Sequence, residues 1–83
     1  MTAKEFEILF RRLYMPLRMY ALRIVDDADI AEDMVQEAFL KTWERLVGGL
    51  EISNLKAFIY ICVRNECLSY LSSQKDRFPC LAL

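Results

Sequence analysis

Six carboxylates occupy residues 26–37 (DDADIAEDMVQE), and no basic residue lies among them. The whole chain has 12 acidic residues and a formal net charge of only -1, so half of its acids lie in this short stretch. Paired carboxylates can act as general acid and general base, but they need a dry cleft that shifts their pKa values. A run of acids on one exposed helix face offers no such cleft. The six residues are Asp26, Asp27, Asp29, Glu32, Asp33 and Glu37.

Other catalytic or metal-binding patterns are missing from the sequence. The chain has no histidine and no glycine-rich phosphate loop, and its three cysteines (Cys62, Cys67 and Cys80) lack CxxC spacing. This pattern argues against a zinc site and against a disulfide framework, and it favours small buried thiols in a reducing cytosol. We therefore expect a protein that is not an enzyme, with no catalytic residue, no metal and no cofactor.

Length and composition predict one small all-α domain. The chain has 83 residues, of which 55% are hydrophobic and 28% charged, with two glycines and two prolines. This composition excludes a disordered tail and disfavours a turn-rich β fold. The sequence contains neither an apolar run long enough to span a membrane nor a secretory signal, so we expect a cytoplasmic protein.

Apolar periodicity predicts a compact bundle of three to four helices. We expect the first helix to be broken at Pro16 into segments 3–14 and 16–25, because an internal proline removes a backbone donor and clashes with the preceding turn. The second helix should start after Asp26 or Asp27 and end near Leu46, before two glycines.

The third helix should be capped by Ser53 or Asn54 and continue to about residue 73 or 74. Pro79 would prevent any extension. We expect residues 1–77 to form the domain and residues 78–83 to form a disordered tail, the start of a linker.

The second helix divides into two faces at 100° per residue. The arc predicted to be core comprises Ile30, Ala31, Met34, Val35, Ala38, Phe39, Thr42, Trp43 and Leu46, and the opposite arc comprises Asp29, Asp33, Gln36, Glu37, Leu40 and Glu44. Acids at the helix start are explained by the helix dipole. Asp33 and Glu37 repel each other, although Lys41 should offset part of that cost. Two interpretations remain open: a solvated face, or an interface for a basic partner.

The third helix also has two sides. The predicted core stripe comprises Ile59, Val63, Cys67 and Tyr70, flanked by Tyr60, Cys62 and Leu71, and the other side carries Phe58, Ile61, Arg64, Asn65, Leu68, Ser69 and Ser72. Cations, an aromatic ring and an amide can hold single-stranded nucleic acid, but a generic polar helix face has a similar composition.

The order of these motifs resembles region 2 of bacterial extracytoplasmic-function (ECF) sigma-70 family factors over residues 3–77. The resemblance is carried by AEDMVQEAFLKTWE and by LKAFIYICVRNECLSYL about ten residues later, with YALRIVDDADIAED upstream. The D-x-x-Q-E run, the spaced Phe39 and Trp43 and the adjacent Arg64 and Asn65 are specific in combination.

The resemblance implies two binding surfaces. The helix with D-x-x-Q-E would dock on the β′ clamp helices of RNA polymerase through Asp33, Gln36 and Glu37, and the helical wheel adds Leu40. The last helix and the preceding loop, residues 48–56, would recognise the −10 promoter element on the non-template single strand, with a base flipped into a pocket. The implied promoter-binding residues are Lys56, Phe58, Ile61, Arg64, Asn65 and Ser69.

Some features depart from the family. Phe58 replaces a frequent tryptophan next to the melting point. Ile61 and Leu68 stand where relatives often carry polar or basic groups, which argues against strong DNA contact by this domain alone. The family usually has a second, helix-turn-helix domain that reads the −35 element, so we expect this chain not to direct transcription efficiently by itself. The main alternative is a helical protein-interaction module without DNA recognition, and an anti-sigma factor is a further expected partner. We expect a monomer.

Overall fold

The computed structural model describes the backbone of residues 1–76 and the side chains of residues 1–73. Within residues 1–76 the chain forms three helices: α1 (Ala3–Val25), α2 (Ala28–Val47) and α3 (Leu55–Asp76). Each helix packs against the other two. The predicted all-α bundle is therefore confirmed, with three helices. The predicted tail, residues 78–83, lies outside the described residues, as do Pro79 and Cys80.

The core forms where the apolar stripes of the three helices meet. Its largest fully buried side chains are Phe39, Leu17, Ile59, Val35, Val63, Thr42 and Cys67. The predicted core faces of the second and third helices are buried or half-buried, and the acidic arc of α2 is exposed. Trp43 packs beside the core, with its ring centroid 5.1 Å from that of Phe6. Helical periodicity thus predicted the inward faces of α2 and α3 correctly.

The predicted break at Pro16 is wrong, because α1 is one helix of 23 residues that runs through this proline. Pro16 is exposed, so the carbonyl of Arg12 that it leaves without an amide partner can be hydrated. Leu13 and Leu17 on either side of it are buried against the other helices. Burial of both halves of α1 on one core offsets the local cost of the proline, as tertiary packing often overrides propensity.

The α1–α2 connection is very short and uses two of the six clustered acids. Asp26 ends α1 in the left-handed conformation with φ 55°. Asp27 caps α2, and its Oδ1 accepts hydrogen bonds from the amides of Asp29 and Ile30 at 3.0 and 3.1 Å. These roles follow from the orphan amides at a helix start and from the tolerance of aspartate for positive φ.

The loop between α2 and α3 begins at the two glycines where the second helix was predicted to end. Gly48 caps the end of α2, and Gly49 has a φ of 99°, which other residues adopt only with strain. Asn54 then caps α3, because its Oδ1 accepts a hydrogen bond from the amide of Ala57 at 3.1 Å. These contacts fix the ends of the loop that joins the two candidate surfaces.

Candidate functional site

The first candidate surface, called here the acidic face, consists of Asp33, Gln36, Glu37 and Leu40 on α2. All four side chains are exposed, and Leu40 retains 52% of its accessible area. They line an open groove of about 690 Å³ together with Met34 and with Glu66 of α3. The structure therefore brings all four predicted polymerase-binding residues onto one accessible surface.

Three other acids of the cluster have local roles, and Asp29 lies in the first turn of α2. Asp26 and Asp27 shape the turn, as described above. Glu32 is half-buried near Tyr14 of α1, and its Oε1 accepts a long hydrogen bond of 3.5 Å from Nε2 of Gln36. Burial, followed by the neighbouring Glu32 carboxylate, raises the pKa of Tyr14. Asp33 and Glu37 thus carry the free negative charge of the acidic face.

Lys41 does not form the expected ion pair with Glu37. Its Nζ lies 2.6 Å from Oε1 of Glu66, so it bridges α2 to α3. Among the side chains of residues 1–73, neither Asp33 nor Glu37 has a basic group within ion-pairing distance. Lys41 still attracts Glu37 at longer range, but no ion pair among these side chains neutralises either carboxylate, so the acidic face remains negative.

An apolar groove of about 400 Å³ lies beside the acidic face, between α1 and α2. Its floor is aromatic: the ring centroids of Phe10 and Phe39 are 4.5 Å apart, and Phe6 and Trp43 lie next to them. The groove also includes Ala3, Glu7, Gln36 and Leu40. Since Gln36 and Leu40 belong to both features, apolar surface continues directly from the acidic face.

The second candidate surface, called here the promoter face, lies on α3. Phe58, Ile61, Asn65 and Ser69 follow one another at spacings of three and four residues, so they share one side of the helix. Arg64 flanks this row and is exposed. Lys56 is exposed too, but it lies about 200° around the helix from Phe58, on the side that carries Ile59. The structure thus brings five of the six predicted promoter-binding residues together and sets Lys56 apart.

Phe58 is half-buried rather than exposed. The guanidinium carbon of Arg45, on α2, lies 5.8 Å from its ring centroid, within the range of a cation–π interaction. Arg45 adds a positive charge to this edge of the promoter face. Sequence reasoning missed Arg45, because only the packing of α2 on α3 brings it to Phe58.

The α2–α3 loop and the start of α3 form an open groove of about 350 Å³. Residues 50–54 line it from the loop, and Ala57, Phe58 and Ile61 line it from α3. The loop therefore lines an open groove that shares Phe58 and Ile61 with the promoter face.

The described cysteines lie inside the bundle. Cys67 is buried, and burial, followed by the charge of Glu66, raises the pKa of its thiol. Cys62 is half-buried, and its Sγ lies 3.9 Å from the hydroxyl of Thr42, which donates to the carbonyl of Ala38 at 2.7 Å. A thiol with a raised pKa is a poor nucleophile and metal ligand. Within the described residues, no cluster of acidic or cysteine side chains could hold a metal ion, and no helix could span a membrane.

Comparisons with known proteins point to one family. The sigma-70 region 2 family matches residues 9–77. A "Probable RNA polymerase sigma factor" of Haemophilus influenzae (strain ATCC 51907 / DSM 11121 / KW20 / Rd) is 43% identical over 54 residues. That alignment covers 65% of this chain and 27% of the relative, so the chain corresponds to about a quarter of that protein's length. No solved structure matches this chain.

The family match includes the whole of α2, the loop and α3, and with them both candidate surfaces. The sigma factor family is not a class of enzymes. The chain belongs to the sigma-70 region 2 family.

Proposed function

We propose that this domain is region 2 of an ECF sigma factor, which binds the β′ clamp helices of RNA polymerase and recognises and melts the −10 promoter element. The observation that carries the proposal is the acidic face: Asp33 and Glu37 are exposed and have no basic partner among the described side chains. In this function the protein acts in the bacterial cytoplasm, at the start of transcription.

Polymerase binding rests on charge and shape. Two unpaired carboxylates attract a basic helical partner and accelerate its association. Leu40, exposed between the acidic face and the aromatic groove, supplies an apolar anchor, and Gln36 supplies an amide. Interfaces of this kind derive most of their affinity from a few such central side chains.

Promoter recognition rests on the open groove beside Phe58. Extruding a base from a duplex costs on the order of a few kcal/mol, and a preformed pocket can recover that cost by stacking and hydrogen bonding. Phe58 and Ile61 offer apolar contacts, while the amide of Asn65 can donate to and accept from a base edge. Arg64 would contact a phosphate and thereby position the strand without reading its sequence. Lys56 would contact phosphate from a separate side of α3.

The polymerase interface can be tested by pulldown of a clamp-helix fragment with this domain. Changing Asp33→Arg together with Glu37→Arg should abolish capture, because two attractive contacts become repulsive. The single change Glu37→Arg should weaken capture. Glu51→Arg is its matched control: it makes the same change in charge at an exposed acid of the loop, and it should leave capture unchanged. Undiminished capture by the double variant would reject the proposed interface.

The apolar groove beside the acidic face favours a second candidate function, a helical protein-interaction module without DNA recognition. An exposed aromatic groove is a typical place for a partner helix. Binding to single-stranded −10 DNA separates the two functions. Sequence preference supports the sigma function, whereas equal, purely salt-driven binding to every oligonucleotide supports the interaction module. In both cases we propose a monomer, which sedimentation can test, and an anti-sigma factor as a further partner.

A further inference from the structure

The outer face of α1 carries an apolar stripe that the bundle does not bury. Ile8, Met15, Met19 and Leu22 retain 48%, 55%, 57% and 39% of their accessible areas. With Arg12, they occupy positions 8, 12, 15, 19 and 22, so the spacing alternates between four and three residues. This is the a/d repeat of a coiled-coil seam, with Ile8, Met15 and Leu22 at d.

Arginines line this stripe, called here the α1 seam. In the same register Arg12 takes an a position, Arg11 and Arg18 take g positions and Arg23 takes an e position. Arg11 pairs with Glu7 at 2.8 Å. Among the side chains of residues 1–73, Arg12, Arg18 and Arg23 have no acid within ion-pairing distance. The seam therefore combines exposed apolar surface with uncompensated positive charge.

The seam exists because α1 continues through Pro16. If the helix broke at Pro16, Ile8 and Met19 would lie on two separate helices and not on one continuous face. Instead the stripe extends over two heptads of a single helix whose opposite side is fixed in the core by Leu13, Leu17 and Ala21. Such a preorganised surface loses little entropy when a partner binds.

We propose that the α1 seam docks an amphipathic helix of another protein, one with apolar a and d positions and glutamates or aspartates at its e and g positions. The strict a/d spacing makes a narrow stripe, which fits one helix. Acidic e and g side chains would pair with Arg11, Arg18 and Arg23, and Met15 and Met19 can adapt to the shape of a partner.

Other occupants fit the seam less well. A second copy of this helix would bring arginines together in either orientation, which is unfavourable. Parallel pairing would place Arg18 against Arg23 of the other copy, and antiparallel pairing would place Arg11 against Arg18. A lipid surface would favour a broad apolar face with tryptophan or phenylalanine, and the seam has neither. Duplex DNA would meet an apolar centre where phosphates need cations. The seam shares no residue with the acidic face or the promoter face, so this proposal does not rest on polymerase or promoter binding.

The experiment titrates the 83-residue chain into a labelled synthetic helix of about three heptads with leucine at a and d and glutamate at e and g. An otherwise identical peptide with lysine at e and g is the control. We expect the glutamate peptide to bind with a Kd on the order of 10–100 μM, as suits a small interface, and at least about tenfold more tightly than the lysine peptide. Binding should weaken as salt rises.

Two variants and one control locate the binding. Met15→Glu combined with Met19→Glu should lower the affinity for the glutamate peptide about tenfold or more. Both side chains are over half exposed, so their replacement leaves the core intact. Val47→Glu, on another helix and 67% exposed, should change nothing. Arg18→Glu with Arg23→Glu should reverse the preference towards the lysine peptide.

The result that overturns the proposal is equal affinity for the two peptides, or no binding of the glutamate peptide at about 1 mM, a free-energy limit of roughly −4 kcal/mol. Tighter binding to phosphatidylserine vesicles or to duplex DNA would assign the seam to those ligands and reject the helix partner. Capture of the clamp-helix fragment by the Met15→Glu, Met19→Glu variant should remain normal, which keeps this test distinct from that of the proposed function.

Discussion

Lys41 Nζ lies 2.6 Å from Oε1 of Glu66, and this contact joins the middle of α2 to the middle of α3. It connects the helix of the acidic face to the helix of the promoter face. It also directs Lys41 away from an ion pair with Glu37. This ion pair thus supports the packing of α2 on α3 and leaves the acidic face negatively charged.

The Lys41–Glu66 pair should make stability depend on pH in the alkaline range. The hydrogen bond and charge of Glu66 raise the pKa of Lys41 above its ordinary value of 10.5. A raised lysine pKa means that the contribution is complete below about pH 10.5 and is lost as pH rises through the higher folded value. Glu66→Gln should therefore lower the urea midpoint at pH 8, and the gap to the unmodified chain should close above pH 10.5.

The exposed Arg11–Glu7 pair provides the control for that measurement. Arginine stays protonated throughout this range, so any small effect of Glu7→Gln should not change between pH 8 and about pH 11.5. A Glu66→Gln gap that persists unchanged at high pH would show that the pair contributes through packing and not through charge.

Ile59 and Ile61 offer a matched test of the core. They are the same residue type, two positions apart on α3, with accessible fractions of 0% and 57%. Ile59→Ala should cost about 2–5 kcal/mol of unfolding free energy, because it opens a cavity. Ile61→Ala should change it by less than about 0.5 kcal/mol. Urea unfolding measures both, and similar losses at the two sites would contradict the packing of α3.

Pro16→Ala should stabilise the domain. A proline inside a helix is about 3 kcal/mol less favourable than alanine. The unfolded chain regains roughly 0.4–1 kcal/mol of conformational freedom when proline is removed, so we expect a net gain of about 2 kcal/mol. Urea unfolding tests this prediction. Met19→Ala, at another exposed position of α1, is a near-neutral control. A loss of stability in Pro16→Ala would mean that the proline contributes contacts that outweigh its cost.

Arg64 and Asn65 should affect DNA binding in different ways. Arg64→Ala should lower the affinity for every single-stranded oligonucleotide by a similar factor. It should also reduce the slope of log affinity against log salt by about 0.7, as loss of one phosphate contact does. Asn65→Ala should reduce the preference for the −10 sequence and leave that slope unchanged. Fluorescence anisotropy at several salt concentrations distinguishes the two effects.

The separate position of Lys56 gives the matched control. Because it lies on another side of α3 from Phe58 and Asn65, Lys56→Ala should weaken binding less than Arg64→Ala does. An equal loss would show that the strand wraps around the start of α3.

The sequence by itself determined the local structure and the buried faces of α2 and α3. The two helix caps and the stop at the two glycines depend on the chemistry of a few neighbouring residues, so each cap could be predicted to within two residues. The structure selects Asp27 over Asp26 and Asn54 over Ser53. The exposure of Asp33, Gln36, Glu37 and Leu40 also followed, because a fixed helical period places residues three and four apart on one side.

Only the tertiary structure decided features that depend on contacts between helices. Continuity of α1 through Pro16 results from burial of both its halves on one core, which outweighs the local penalty. The pairing of Lys41 with Glu66 and the position of Arg45 over Phe58 join residues far apart in sequence. Exposure of the α1 seam follows from how much of that helix the other two can cover. Spacing along a chain defines the faces of a helix, but the packing of its neighbours determines which faces remain in water.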